Sequence, residues 1–290
     1  MRRLKERKRP SRPGLVLLAL CLLTSLPATA HPDLELQIQE LTRRIADDPA
    51  DAHLYFERGE LHRIHEDWPS ALVDYERARD LDPALDAVDL GLGKLRLEAG
   101  QPQAALAHLQ RFLDRRPGHA DALVQRGRAL ARVGDPLAAA KDFTQAIERR
   151  VEDGGRPAPE LFIERARELV SAGDEHRAAA LSGLEEGLDL LGWPITLEIE
   201  ALEIEMALGR VDQAIHRVDR LASASRRAEW WLVQRARILE SAGRLSDSKR
   251  DYRAALEAIE TLPGPRKRTR AIQRLAGEAQ AALDRLSRID

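Results

Sequence analysis

Residues 53–83 read HLYFERGELHRIHEDWPSALVDYERARDLDP, residues 87–117 read AVDLGLGKLRLEAGQPQAALAHLQRFLDRRP, and residues 121–151 read DALVQRGRALARVGDPLAAAKDFTQAIERRV. Laid under one another, the three stretches share landmarks 34 residues apart: Gly59, Gly93 and Gly127, then Ala71, Ala105 and Ala139. Gly100 and Gly134 keep the same step, as do Pro49, Pro83 and Pro117 at the boundaries. A fixed period of this length marks a stacked-repeat architecture, in which one helical pair cannot bury its apolar face alone and its neighbours supply the core. Segments 159–187 and 228–260 place apolar residues at three- and four-residue spacing, and almost nothing alternates with period two. The class is therefore all-α. Such stacks present surfaces for binding more often than sites for chemistry, so the fold alone says little about function.

The chain has 290 residues, 43% hydrophobic and 32% charged, which is enough for a sizeable core and unlike a disordered composition. Aromatic residues make up only 4%, so Leu, Ala, Val and Ile must build that core. Residues 1–30 read as an export signal: a basic opening from Arg2 to Arg12, an apolar run from Leu15 to Leu26, and the small-residue site Ala28-Thr29-Ala30. The run is too short to cross roughly 30 Å of hydrocarbon. A twin-arginine reading of Arg2-Arg3 is opposed by Lys5, and a lipid-attachment reading of Cys21 by Leu20, which stands where a small residue is wanted. Cleavage after Ala30 would remove seven of the 46 basic and one of the 48 acidic residues, leaving a net charge of −8. It would also remove the single cysteine, so packing alone must hold the exported chain together. The expected location is the periplasm or the cell envelope, with no membrane span in the mature chain. An acidic exported chain is a poor nucleic-acid binder, and the absence of asparagine excludes N-glycosylation. Arginine outnumbers lysine 40 to 6, a bias that suggests a GC-rich bacterial genome.

Large and small residues alternate in a particular way within each unit. Tyr55 and Gly59 hold the large and small slots of the first helix, and Ala71, Tyr75 and Ala78 the small, aromatic and small slots of the second. The next units offer Leu92, Gly93 and Ala105, then Gly127, Ala139, Phe143 and Ala146. On these residues the chain resembles the tetratricopeptide-repeat family over nearly all of its length after residue 30. The resemblance implies a right-handed helical-repeat solenoid of about six pairs. A half-repeat helix over 31–50 would open the stack, three regular pairs would fill 51–150, and a loop would follow at 151–158. Three divergent pairs over 159–262 and a capping helix within 263–290 would complete it. Gly173, Gly209 and Gly243 mark the internal turns of the later pairs. In the fourth, Ala166 and Ala178 fit the pattern while Ser182 and Glu185 do not, so its second helix is offset or irregular.

Three groups of residues have side chains suited to chemistry or binding. His62 and His65, three apart with Glu66 beside them, could share a metal, but no third ligand stands nearby in sequence. Glu198, Glu200, Glu203 and Glu205 crowd one helix and read as a solvated acidic face. No phosphate loop, serine elbow or cysteine pair occurs, so no catalytic set, cofactor or metal site is expected. The resemblance implies that first helices line a concave groove. Alignment on the turn glycines brings Phe56, Leu90, Val124, Ile163, Ile199 and Val233 into one apolar column. One turn later stand Glu60, Lys94, Arg128, Arg167, Glu203 and Arg237. Two readings remain open: a groove with an apolar stripe beside a cationic strip, suited to apolar and acidic peptides, or a column packed on neighbouring helices with each Arg paired to a local Glu. Of Trp230 and Trp231, about 100° apart on a helix, one is expected in the core and Trp230 is the candidate groove anchor. The function expected is a non-enzymatic scaffold or adaptor for a protein or peptide partner. The alternatives are a self-associating structural solenoid and a metal-dependent enzyme built on His62 and His65.

Overall fold

The computed structural model describes residues 32–288 apart from residue 226, and the export signal, its cleavage site and Cys21 lie outside the described residues. Among the described residues every regular element is helical. Helix α1, Pro32–Asp47, opens the stack. Six pairs follow: α2 (Ala52–Ile64) with α3 (Trp68–Leu81), α4 (Ala87–Glu98) with α5 (Pro102–Arg115), and α6 (Ala120–Val133) with α7 (Pro136–Glu152). The later ones are α8 (Pro159–Ala172) with α9 (Arg177–Leu191), α10 (Ile195–Ala207) with α11 (Val211–Ser223), and α12 (Ala228–Ser241) with α13 (Leu245–Glu260). A short α14 (Gly264–Lys267) leads into α15 (Arg270–Leu286), which packs on α13. Each helix packs on the next from α1 to α13, and first helices also touch across pairs (α2 with α4, α4 with α6, α8 with α10). That second set of contacts puts the first helices on the inner side of the stack.

The period is physical. A Cβ added to Gly93 would lie 2.6 Å from Leu109 Cγ, and one added to Gly59 or Gly127 would lie 3.0 Å from the ring of Tyr75 or Phe143. Only glycine lets these backbones approach while the facing helix fills the space. In five of the six pairs the internal turn has a left-handed residue: Gly100, Gly134, Gly209 and Gly243 supply it, and in the first pair Glu66 takes it at φ 61, whereas Gly173 in the fourth stands at φ 145. Glu66 is therefore a turn residue, which accounts for its place beside the two histidines.

Several expectations are corrected here. On α1, where the sequence places Leu36, Ile38, Leu41 and Ile45 at helical spacing as one apolar stripe, the last three are buried but Leu36 is exposed. Helix α7 runs on through Glu152, so part of the expected 151–158 loop is helical. In the fourth pair a 3₁₀ turn at Asp174–His176 delays α9, so Ala178 is exposed and Ala180 is the buried alanine. The close contact there is reversed in sense: Gly187 on the second helix faces Phe162 on the first, 2.8 Å from an added Cβ.

Candidate partner-binding face

The column beginning at Phe56 does not form an open stripe. Val124 and Val233 are buried, while Phe56, Leu90 and Ile163 are half-buried against neighbouring clusters. Only Ile199 is exposed, at 41%. Trp231 is the core tryptophan; Trp230 is half-buried and stacks edge-on against it, ring centroids 4.5 Å apart.

The cationic strip is a ladder of ion pairs between successive inner helices. Lys94 on α4 meets Asp121 on α6 at 2.7 Å, and Arg128 on α6 meets Glu164 on α8 at 2.7 Å. Arg167 on α8 meets Glu200 on α10 at 2.8 Å, and Arg237 on α12 meets Glu278 on α15 at 2.8 Å. Burial works to raise the Asp121 carboxyl, but the hydrogen bond and charge of Lys94 outweigh it and hold the group below the usual range. Hydrogen bonds donated to Glu164 and Glu200 likewise hold the Arg128 and Arg167 guanidiniums above theirs. Among the described residues every Lys and Arg of the six inner helices has a side-chain or backbone acceptor. Among the described carboxylates of those helices, Glu160, Glu168 and Glu203, on α8 and α10, make no hydrogen bond or ion pair. The uncompensated charge of the inner face is thus acidic, the reverse of the strip read from the alignment.

A second set of ion pairs passes through the stack and was not read from the sequence. Arg58, Arg126 and Arg235 on first helices each make two hydrogen bonds to an aspartate 16 residues on, Asp74, Asp142 and Asp251, at 2.7–2.9 Å. Each also reaches 16 residues back to the preceding outer helix, at Thr42, Gln110 and Asp219. The signal was available: one Arg-x15-Asp spacing recurs at the same register in three pairs. In the fifth pair Arg217 on α11 binds Glu205, Glu198 and Glu185, and Glu198 also receives Arg220. Glu198 and Glu205 are buried, not solvated as expected, and Arg217 is buried with them. This cluster floors a cleft of about 710 Å³ between α9 and α11, where Trp193 lies with the Arg220 guanidinium 4.6 Å from its ring centroid.

His62 Nδ1 is 3.6 Å from Asp67 and its Nε2 is 3.8 Å from Asp74, whereas His65 is exposed. Among the described residues no group of three or more His, Cys, Asp or Glu converges on a metal-sized point. No described helix is long and apolar enough to cross a membrane.

Paired helices stacked on a 34-residue period, with an inner face of first helices, define a helical-repeat solenoid. Residues 90–157 match the tetratricopeptide-repeat family model, and the fold is the one tetratricopeptide-repeat proteins adopt. The C-terminal part of a repeat protein of this kind from Cytophaga hutchinsonii superposes with a TM-score of 0.62 at 15% identity, over 79% of this chain and 92% of that one. A tetratricopeptide-repeat protein from Parabacteroides merdae gives 0.52 at 17% identity, over 86% and 93%. YrrB, described as having an unusual peptide-binding site, gives 0.52 at 19% identity, over 64% and 92%. No curated protein matches the chain. Folds of this family generally mediate contacts between proteins.

Proposed function

We propose that the protein is a non-enzymatic scaffold of the bacterial envelope, released by cleavage after Ala30, that receives a segment of a partner protein in the groove of its first helices. The observation that carries this reading is the distribution of exposed apolar side chains. Among the described residues nine large ones are exposed, and four of them, Leu190, Trp193, Ile195 and Ile199, fall within residues 190–199. Exposed apolar residues scattered singly are ordinary, but Ile195 and Ile199 stand one turn apart on the inner helix α10, whereas Leu190 lies on α9 and Trp193 in the α9–α11 cleft, so the first two are the pair that marks the groove. Trp193 adds a second sign: its backbone sits at φ 64, a conformation costing a non-glycine residue about 1–3 kcal/mol and typical of functional turns. The likeness to YrrB supports a peptide as the occupant, and half-buried Phe56, Leu90, Ile163 and Trp230 would extend the wall on either side.

The test compares proteins retained by immobilised wild type, Ile199→Asp and, as an outer-face control, Val73→Asp, which is exposed on α3. A partner kept by wild type and Val73→Asp but lost from Ile199→Asp is expected. Loss from Val73→Asp alone would move binding to the outer face, and a concentration-dependent mass in sedimentation with no partner retained would mean self-association. Mass measurement of the exported form should give a chain beginning at His31; a lipidated species beginning at Cys21 would overturn the release.

A further inference from the structure

Between α8 and α10 the inner face holds a cavity of about 200 Å³, roughly the room of one side chain. Its apolar wall is Val170, Ile204 and Ala207. Four charged groups also line it: Arg167, Arg177, Glu200 and Glu203. Three of the four are engaged. Arg167 holds Glu200 at 2.8 Å, and Arg177 holds Asp174 at 2.8 Å. Glu203 reaches Arg167 only through its longer-range field and makes no hydrogen bond or ion pair. The lining itself balances, two guanidiniums against two carboxylates, and Glu203 is the one of the four with no ion pair of its own. Ile199, the exposed member of the apolar column, stands one helical turn before Glu203 on the same helix.

We infer that this cavity takes a lysine or arginine side chain of the partner segment, with an apolar residue beside it on Ile199. An aliphatic stem suits the Val170, Ile204 and Ala207 wall, and a terminal cation completes the ion pair that Glu203 lacks, since long basic side chains lay their methylenes on apolar surface and keep the charge at a polar rim. An acidic side chain would meet Glu203, and Arg167 would first have to leave Glu200, although Arg177 keeps one buried N–H without an acceptor. The inference rests on the groove reading above.

Random twelve-residue peptides displayed on phage and selected on the purified protein test it. Selected sequences should be enriched in Lys or Arg next to an aliphatic residue. A synthetic copy of the consensus should bind Glu203→Gln at least tenfold more weakly, Glu203→Asp nearly as well as wild type, and all three more weakly as salt rises. Acidic sequences, or no charge preference, would overturn the inference while leaving the groove reading standing. So would a basic consensus that binds Glu203→Gln unchanged. Sequences indifferent to Ile199→Asp as well as to Glu203→Gln would overturn both.

Discussion

In the third pair the arginine stands on the first helix and its acid on the second, Arg126 on α6 and Asp142 on α7. In the fifth, Ala201 occupies the arginine's register and Arg217 the aspartate's, while Glu198 and Glu205 supply the acids from the first helix. The same exchange separates the third pair from the fourth in packing: Gly127 faces Phe143 across α6 and α7, but Phe162 faces Gly187 across α8 and α9. What the stack requires at each site is therefore a complementary couple, cation with anion or small with large. It does not require a fixed helix for each member. The two arrangements differ in burial. Arg126 keeps part of its side chain in water, whereas Arg217 and two of its three glutamates are sealed.

That difference sets the largest expected effect. Arg217→Met removes the guanidinium and leaves Glu198 and Glu205 buried without their main donor. Breaking a buried ion pair in this way costs about 3–5 kcal/mol. Arg126→Met strands a single aspartate beside a partly hydrated site, so a loss nearer 1–3 kcal/mol is expected. Adding Glu198→Gln and Glu205→Gln to Arg217→Met should recover much of the loss. Urea denaturation of these variants checks the comparison, and an Arg126 variant as damaged as the Arg217 one would break it.

A middle-sized effect belongs to the regular half. Gly93→Leu forces side-chain carbons into Leu109, and overpacking of this kind costs about 1–3 kcal/mol. Val151→Ala, at an exposed position near the end of α7, should be close to neutral. Because repeats couple mainly to neighbours, the Gly93 damage should stay local, with the last pairs melting near their usual temperature. Circular dichroism melts and hydrogen exchange resolved along the chain distinguish local from global loss.

Why one half was legible and the other was not follows from these exchanges. The glycines and alanines of the first three pairs repeat at one register, so period, helix pairing and close contacts could all be read. Phe162 and Gly187 carry the same contact with its members on opposite helices, and a scan for the family's order passes over them. Helix α9 was further displaced by the 3₁₀ turn at Asp174–His176, which no spacing announces. The inner-face charges were hidden differently. Lys94, Arg128 and Arg167 do lie in register, but their partners Asp121, Glu164 and Glu200 lie 27 to 36 positions further on, on the next inner helix. Only the stacking geometry joins them. A register identifies which side chains share a face, and the pairing that cancels their charge is a property of the neighbouring unit.

The smallest effect concerns the position where the fourth pair departs from all the others. Leu61, Leu95, Ala129, Ile204 and Ile238 hold one register on the other five inner helices, and Glu168 holds it on α8. Glu168 is half-buried with no hydrogen bond or ion pair; burial first, and then the charge of Glu164, push its pKa above the ordinary glutamate value. A carboxyl raised in the folded state binds more protons there than in the unfolded chain, so the folded protein loses stability as pH rises through the interval between the two values. Above that interval the ionised group carries its full penalty; below it, none. Glu168→Gln should therefore stabilise the protein at pH 7, by about 0.5 kcal/mol given the group's partial exposure. The gain should fade as pH falls through that interval and be gone below the ordinary glutamate value. Thermal denaturation of wild type and variant at several pH values measures this. A gain that stays constant with pH would assign the effect to packing and leave the charge of Glu168 without consequence, while a loss at pH 7 would show that the carboxylate is held by a favourable contact and that the fourth pair has found a polar use for an apolar slot.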